Sequence, residues 1–302
     1  MDFLYLLEKI RMPGLNELML TVTQMGEETA FLVIAMIVFW CVDKKKGYLL
    51  LSVGFLGTIA NQILKLLFRV PRPWIRDPDF TILEQAREAA AGFSFPSGHT
   101  QSAMGTFGSL AATTNNRIWR AVFIAVAVLV GFSRMYIGVH TPADVLVSAG
   151  IALVLILALK DVNMSGDSGK MKVLMCIMMA AAIVFILFVA FWKFPSDTDA
   201  HNLESGTKSA YTLLGAVIGV VLVYTVDKKW LRFPVEALWW VQILKVLVGL
   251  ALVLAVKEGL RAPLEAILPI YPARAIRYFL IVFTAGTLWP MSFHKLSCIG
   301  RK

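Results

Sequence analysis

Three short segments of this chain carry residue types that can handle a phosphoryl group. They are KLLFRVPRP at 65–73, PSGH at 96–99 and SRMYIGVHTPAD at 133–144. Lysine and arginine side chains bind phosphate oxygens, and a histidine next to an aspartate can act as a nucleophile or transfer a proton. The segments lack the paired carboxylates that suit a magnesium or zinc centre. Together they predict phosphoryl chemistry performed by side chains without a metal ion.

The last segment places a histidine close to an aspartate at a helix start. Thr141 is a suitable N-cap and Pro142 a suitable first helical residue, so a helix should begin there. Asp144 then lies in the first turn, where its carboxylate can accept a hydrogen bond from one imidazole nitrogen of His140. The other nitrogen would be left bare as a nucleophile. Taken alone, the pattern fits a capped helix with a surface His–Asp pair equally well.

The PSGH segment predicts a helix start that can bind an anion. Ser97 is a good N-cap, and Gly98 lets a ligand approach the backbone closely. The free N–H groups of the first turn favour negative charge. His99 would stand beside the bound group, where it can give or take a proton. As an isolated motif, PSGH is more often an ordinary helix start.

Three cations accompany these motifs. Lys65 and Arg72 are seven residues apart near the end of an apolar run, and they face the same side if the helix continues nearly that far. Arg134 lies at the end of another run, where its guanidinium can fork onto phosphate oxygens. An isolated Lys65 would more often snorkel to the membrane interface. The whole set of charges in a membrane protein is costly unless it is used.

The composition indicates an integral membrane protein. Of the 302 residues, 58% are hydrophobic and 16% are charged, and several apolar runs can cross a hydrocarbon core of roughly 30 Å. These runs are apolar on all sides, which argues against a large soluble helical core. The net charge of +9 lies mostly in short loops, so it indicates membrane orientation rather than nucleic-acid binding.

We predict an all-α, polytopic membrane bundle of about nine transmembrane helices, of which four to five carry the active site. A short interfacial helix is predicted over residues 1–26, before the first span. The nine predicted spans are 27–42, 47–69, 98–115, 118–138, 142–160, 171–193, 207–226, 235–257 and 275–291.

The basic loops predict which face of the membrane holds the motifs. The lysines at 44–46, Arg117 and Lys228 fall on one side in this frame, which the positive-inside rule makes cytoplasmic. All three motifs then fall on the extracytoplasmic side. The stretch 65–87 keeps a surplus of positive charge on that side, and phosphate binding is one reason for it.

Taken together, the pattern Lys-x6-Arg-Pro, Pro-Ser-Gly-His and Ser-Arg-x5-His-x3-Asp resembles the type 2 phosphatidic acid phosphatase superfamily, which includes vanadium haloperoxidases and glucose-6-phosphatase. The resemblance covers residues 47–160. The matching signature positions are Lys65, Arg72, Pro73, Pro96, Ser97, Gly98, His99, Ser133, Arg134, His140 and Asp144.

The resemblance implies a phosphohistidine mechanism. His140 would attack phosphorus, Asp144 would orient and charge-stabilise it, and His99 would protonate the leaving oxygen and then activate water. Members of this family need no metal, so the resemblance implies neither a metal site nor a cofactor. The groups implied to bind the phosphate oxygens are Lys65, Arg72, Ser97, Gly98 and Arg134.

The predicted domains are an interfacial helix at 1–26, a catalytic core at 27–160 and a membrane extension of about four helices at 161–302. The predicted activity is hydrolysis of a lipid phosphate, either a monoester or a diphosphate, on the extracytoplasmic face. The expected partners are the lipid substrate and the bilayer, with no nucleic acid, and the oligomeric state is left open.

Two alternatives remain open at this stage. The span count resembles the glucose-6-phosphatase and sphingosine-1-phosphate phosphatase branches more than the six-span lipid phosphatases, so a soluble sugar phosphate is an alternative substrate. The second alternative is a transporter or binding protein that retains the pocket without turnover.

Overall fold

The computed structural model describes residues 1–87, 90, 92–164, 168–196 and 198–300. These residues form helices and turns, with no β-strand among them, which confirms the predicted all-α class. Contacts divide the chain into two compact units. The first unit comprises residues 1–32, 49–161 and 193–206, and the second comprises residues 33–48, 162–192 and 207–302.

The helices are numbered in chain order. Those up to residue 113 are α1 (Asp2–Lys9), α2 (Pro13–Gln24), α3 (Glu28–Cys41), α4 (Lys44–Phe68), α5 (Pro73–Arg76) and α6 (Gly98–Thr113). Those that follow are α7 (Arg117–Ile137), α8 (Pro142–Met164), α9 (Ser168–Phe191), α10 (Ala200–Val226), α11 (Trp239–Gly259), α12 (Arg261–Ile267), α13 (Ile270–Phe283) and α14 (Phe293–Cys298).

The predicted count of nine spans is not confirmed. Within the described residues, seven helical segments are long and apolar enough to cross a membrane, and an eighth results if α2 and α3, bent by 52°, form one broken span. The predicted span 98–115 corresponds to α6, whose 16 residues rise only about 24 Å. The predicted span 27–42 corresponds to α3. Its 14 residues are too short to cross a membrane alone and are long enough only together with α2.

The N-terminal residues, predicted as one interfacial helix, instead form the two helices α1 and α2 and pack against α7 in the first unit. The Tyr136 hydroxyl donates a hydrogen bond of 2.7 Å to Asn16 Oδ1. Arg11 Nε donates to the Tyr136 carbonyl at 3.0 Å. Met19 belongs to the buried apolar cluster around Tyr136. These contacts fix the end of α7, where the motif residue Arg134 lies.

The turn after α7 brings the chain directly back over the last helical turn. Gly138 has a left-handed φ of 94°, the conformation that favours glycine after a helix. The backbone N–H groups of Val139 and His140 then donate to the Arg134 carbonyl at 3.1 and 3.3 Å. His140 is therefore held between α7 and α8 by backbone geometry.

In the second unit, two glycines let α10 approach α13. Gly215 and Gly219 are four residues apart on α10, the spacing at which small residues permit close helix contact in membranes. A Cβ added to Gly215 would lie 1.9 Å from the Ala275 carbonyl oxygen, and one added to Gly219 would lie 2.8 Å from Val282 Cβ. The absence of side chains at these positions is thus a packing requirement.

We therefore expect Gly215→Ala to destabilise the protein by about 2 kcal/mol, because the new methyl group overlaps a backbone atom that has no room to move. The measurement is the thermal unfolding midpoint of the full chain in detergent. Gly150→Ala is the matched control, since a Cβ there meets nothing within 4 Å. An unchanged midpoint for Gly215→Ala would contradict the packing of α10 on α13.

Candidate active site

The three sequence motifs lie together in the first unit. The Ser97 backbone N–H donates to the Asp144 carbonyl at 3.1 Å, which joins the start of α6 to the start of α8. Arg72 Nη1 lies 2.9 Å from His140 Nε2, which joins the segment after α4 to the connection between α7 and α8. Residues from all three motifs therefore line one buried region.

The pair His140–Asp144 lies at the centre of this region. Both side chains are 2% exposed, and His140 Nδ1 is 3.4 Å from Asp144 Oδ2. The same oxygen accepts a hydrogen bond of 2.8 Å from the Thr141 backbone N–H. A carboxylate next to Nδ1 holds the proton on that nitrogen, which leaves the Nε2 lone pair for chemistry. The structure confirms Ser97 as the predicted N-cap of α6 and Pro142 as the predicted first residue of α8.

A third donor to Asp144 is Ser94, which sequence reasoning missed. Ser94 is fully buried, and its hydroxyl donates to Asp144 Oδ2 at 2.5 Å. Its backbone N–H donates to the Val70 carbonyl at 2.8 Å, which fixes its position. Ser94 lies in an irregular segment with no periodicity or motif spacing, so only its proximity to the PSGH segment could have drawn attention to it.

Lys65 and Arg72 both bind the backbone of the irregular segment that precedes α6. Lys65 Nζ donates to the Phe93 carbonyl at 2.5 Å, and Arg72 Nε donates to the Gly92 carbonyl at 2.9 Å. Arg72 Nη1 also donates to the Val139 carbonyl at 3.0 Å. The helix α4 ends at Phe68, so the turn that follows, rather than a continuous helix, places Arg72 beside His140.

Arg134 is the third cation and is buried. Its Nη1 donates to Thr23 Oγ1 at 2.7 Å, a partner from α2 that sequence reasoning did not identify. Among the described residues, its Nε has no hydrogen-bond partner. A buried N–H donor without a partner costs free energy, so a bound anion that accepts from Arg134 Nε would be favoured.

The electrostatic surroundings favour a neutral His140. This histidine lies in the short connection between α7 and α8, outside the membrane-spanning helices. Burial, and then the charges of Arg72 and Arg134, hold the pKa of His140 well below its ordinary value. The imidazole is therefore unprotonated at neutral pH, which is the form that acts as a nucleophile.

The start of α6 presents an open backbone. Ser97 Oγ accepts a hydrogen bond of 2.9 Å from Thr100 Oγ1 and caps the helix. A Cβ added to Gly98 meets no atom within 4 Å, so protein packing does not explain the glycine. The half-buried His99 ring makes no hydrogen bond to any other described residue. This helix start can therefore accept a phosphate group and position His99 beside it.

The described residues contain no group of three or more His, Cys, Asp or Glu side chains placed to hold a metal ion. One carboxylate, that of Asp144, contacts the histidine, and it is already engaged by Ser94, Thr141 and His140. The prediction that catalysis needs no metal and no cofactor stays a prediction.

A helical membrane protein with a buried His–Asp pair near three cations fits the class of membrane phosphatases. The comparison with known families agrees with this class. Residues 45–165 match the PAP2 superfamily, and residues 211–301 match the transmembrane extension of PAP2 superfamily phosphatases. The chain belongs to the PAP2 superfamily, as the motifs predict, and it is a multi-pass membrane protein.

Three curated relatives illustrate the family. The chain is 31% identical over 127 residues to the undecaprenyl-diphosphatase BcrC of Bacillus subtilis, covering 42% of this chain and 63% of that protein. It is 31% identical over 166 residues to phosphatidylglycerophosphatase B of the same organism, covering 50% and 76%. It is 33% identical over 147 residues to a probable sphingosine-1-phosphate phosphatase of Dictyostelium discoideum, covering 44% and 35%. The chain thus spans less than two thirds of the first and third relatives. No solved structure matches it significantly.

The open space at Gly98 gives a test that separates ligand binding from folding. We expect Gly98→Ala to lower phosphate release from a lipid phosphate by about a hundredfold, because the methyl group blocks approach to a backbone N–H donor. The thermal midpoint should not change. Gly150→Ala, which also meets no atom within 4 Å, should change neither quantity. Full activity of Gly98→Ala would show that no ligand approaches this backbone.

Ser94 should act as a positioning residue for the His–Asp pair. We expect Ser94→Ala to lower kcat about tenfold with little change in KM, because Asp144 loses one of its donors but not its charge. In an Asp144→Asn background the same substitution should cost almost nothing, since both changes act through one group. Independent, multiplicative losses in the double variant would contradict this coupling.

Proposed function

We propose that the protein is a metal-independent phosphatase that hydrolyses a lipid phosphate through a phosphohistidine intermediate on the extracytoplasmic face. The single observation that carries this proposal is the buried His140, whose Nδ1 faces Asp144 and whose Nε2 lies 2.9 Å from the Arg72 guanidinium. This arrangement places a cation that can bind phosphate next to the imidazole nitrogen that would attack phosphorus.

The substrate phosphate would bind where the cations and the start of α6 meet. Arg72 and Arg134 would each donate to phosphate oxygens, the latter through Nε, and Lys65 would add a third positive charge. The Gly98 backbone N–H and the Ser97 hydroxyl would complete the set. Fixed donors of this kind stabilise the charge on the phosphoryl oxygens in the transition state.

The first chemical step would transfer the phosphoryl group to the histidine. Arg72 Nη1 shifts its hydrogen bond from His140 Nε2 to a phosphate oxygen, which frees the Nε2 lone pair. His140 Nε2 then attacks phosphorus in line, and the N–P bond forms as the P–O bond to the alcohol breaks. His99, protonated once the phosphate dianion is bound beside it, donates that proton to the leaving oxygen and becomes neutral. The carboxylate of Asp144 stabilises the positive imidazole ring of His140 through Nδ1–H.

The second step would return the enzyme to its starting state. His99, now neutral, accepts a proton from a water molecule, and the water oxygen attacks phosphorus. The N–P bond to His140 breaks, and inorganic phosphate leaves. Each histidine thereby ends in the protonation state in which it began.

Two lines of support favour a lipid substrate over a soluble sugar phosphate. The protein is a multi-pass membrane protein, so a membrane-resident substrate can reach the pocket from the bilayer. The relatives are named for undecaprenyl diphosphate, phosphatidylglycerophosphate and sphingosine 1-phosphate, all of which are lipids. These names include both monoesters and a diphosphate.

The charge pattern of α4 supports the proposed side of the membrane. This helix begins with the lysines at 44–46 and carries Lys65 near its other end. The positive-inside rule assigns a lysine-rich start to the cytoplasm, so the end with Lys65 would face outward. The pocket motifs follow Lys65 at that end.

The proposal is tested with the purified full chain, phosphate-labelled lipids and a chelator. We expect release of inorganic phosphate by the wild type, and none by His140→Ala. With an aryl phosphate, whose leaving group needs no proton, His99→Ala should accumulate an acid-labile, base-stable phosphoprotein, because its second step lacks a base. His294→Ala, an exposed histidine of the second unit, is the control and should behave as the wild type.

Three outcomes would contradict the proposal. Full activity of His140→Ala would exclude that residue as the nucleophile. If the chelator abolished activity and added metal restored it, the metal-independent mechanism would be excluded. Hydrolysis by inside-out membrane vesicles, but not by right-side-out vesicles given the same lipid, would reverse the proposed side.

A further inference from the structure

A small cavity adjoins Lys65 in the first unit and is not used by the mechanism above. Its volume is about 60 Å³, enough for several water-sized groups. Besides Lys65, the polar side chains that line it are those of Gln62, Asn202 and Ser205. We call Gln62, Asn202 and Ser205 the polar subsite.

Close packing between α4 and the start of α10 forms the polar subsite. A Cβ added to Gly206 would come within 2.8 Å of Leu66 Cδ1, so the two helices touch there. Asn202 lies one turn before Gly206, and Gln62 lies one turn before Leu66. Residues four apart share a helix face, so both carboxamides lie on the two faces that meet.

The polar subsite shares a wall with the proposed phosphate pocket. Gly92 and Phe93 line the cavity, and their carbonyls accept the hydrogen bonds from Arg72 and Lys65. Asn202 Oδ1 is the atom nearest to a Cβ built on Gly92, at 3.8 Å. A group attached to a phosphate beside Lys65 would therefore reach Asn202 without leaving this wall.

The chemistry of the lining fits a neutral hydroxylated group. Neither carboxamide makes a side-chain hydrogen bond to another described residue, so both can donate and accept. Among the described lining residues, Lys65 carries the only formal charge. A second phosphate would favour further cations or backbone N–H donors, whereas carboxamides pair well with alcohol hydroxyls.

We propose that the polar subsite binds a hydroxyl of the alcohol to which the phosphate is esterified. The preferred substrate is then a phosphomonoester on a hydroxylated headgroup, such as a glycerol or a sugar, rather than the diphosphate of an apolar alcohol. This inference rests on the proposed function. Asn202 and Ser205 lie between the two family matches, 45–165 and 211–301, so the family does not assign them this role.

The test compares three lipids with the purified full chain. Phosphatidylglycerol phosphate has a free hydroxyl on the glycerol that bears the phosphomonoester, and phosphatidic acid with the same acyl chains has none. A polyprenyl diphosphate is the third substrate. We expect the wild-type kcat/KM to be highest for phosphatidylglycerol phosphate, by about tenfold or more.

Substitutions then assign the preference to the subsite. Asn202→Ala and Gln62→Ala should each lower kcat/KM for phosphatidylglycerol phosphate about fivefold, because each removes one neutral hydrogen bond. The kcat/KM for phosphatidic acid should not change. His201→Ala, an exposed neighbour that does not line the cavity, should change neither rate.

The failures are distinguishable. Equal losses on phosphatidylglycerol phosphate and phosphatidic acid would show a general disturbance and overturn the subsite, as would a wild-type preference for the polyprenyl diphosphate. Either result leaves the phosphatase itself intact. Absence of phosphate release from all three lipids would overturn the proposed function together with the subsite.

Discussion

The buried carboxylate of Asp144 is the interaction on which the rest of the first unit depends. Its Oδ2 accepts from Ser94 and Thr141 and faces the His140 ring, and its backbone carbonyl accepts from Ser97. An uncompensated buried carboxylate costs several kcal/mol, so these donors are required for its burial. One residue thereby fixes the start of α8, the irregular segment before α6 and the proton position on the histidine.

The cations are arranged to keep their charge. The hydrogen bonds described for Arg72 and Arg134 end on neutral acceptors, namely the Gly92 and Val139 carbonyls, the His140 ring nitrogen Nε2 and the Thr23 hydroxyl. Neutral acceptors satisfy the N–H donors without cancelling the positive charge. The positive potential therefore remains in the pocket. A phosphate anion would bind there more favourably than beside cations that are already paired with carboxylates.

The residues that sequence reasoning predicted well are those whose placement is local. The caps Ser97 and Thr141 and the spacing of His140 and Asp144 follow from the geometry of single helix starts. Ser94 and Thr23 were missed because their roles depend on tertiary contacts, the latter across 111 positions of the chain. The predicted count of nine spans is not confirmed for a related reason. Hydropathy does not show that α6 ends after 16 residues or that α2 and α3 meet at a bend.

The proposed catalytic groups and the groups around them come from different parts of the chain. His99, His140 and Asp144 lie inside the family match at 45–165, but the first unit also contains residues 1–32 and 193–206. Thr23, from the first of these stretches, binds Arg134, and Asn202, from the second, approaches Gly92. The segment at 193–206 supplies none of the donors to Asp144 described above, so it can change without removing the contacts that hold His140. A family with one phosphoryl chemistry can therefore serve lipids with different headgroups, and in this chain the segment at 193–206 is where we expect that choice to be encoded.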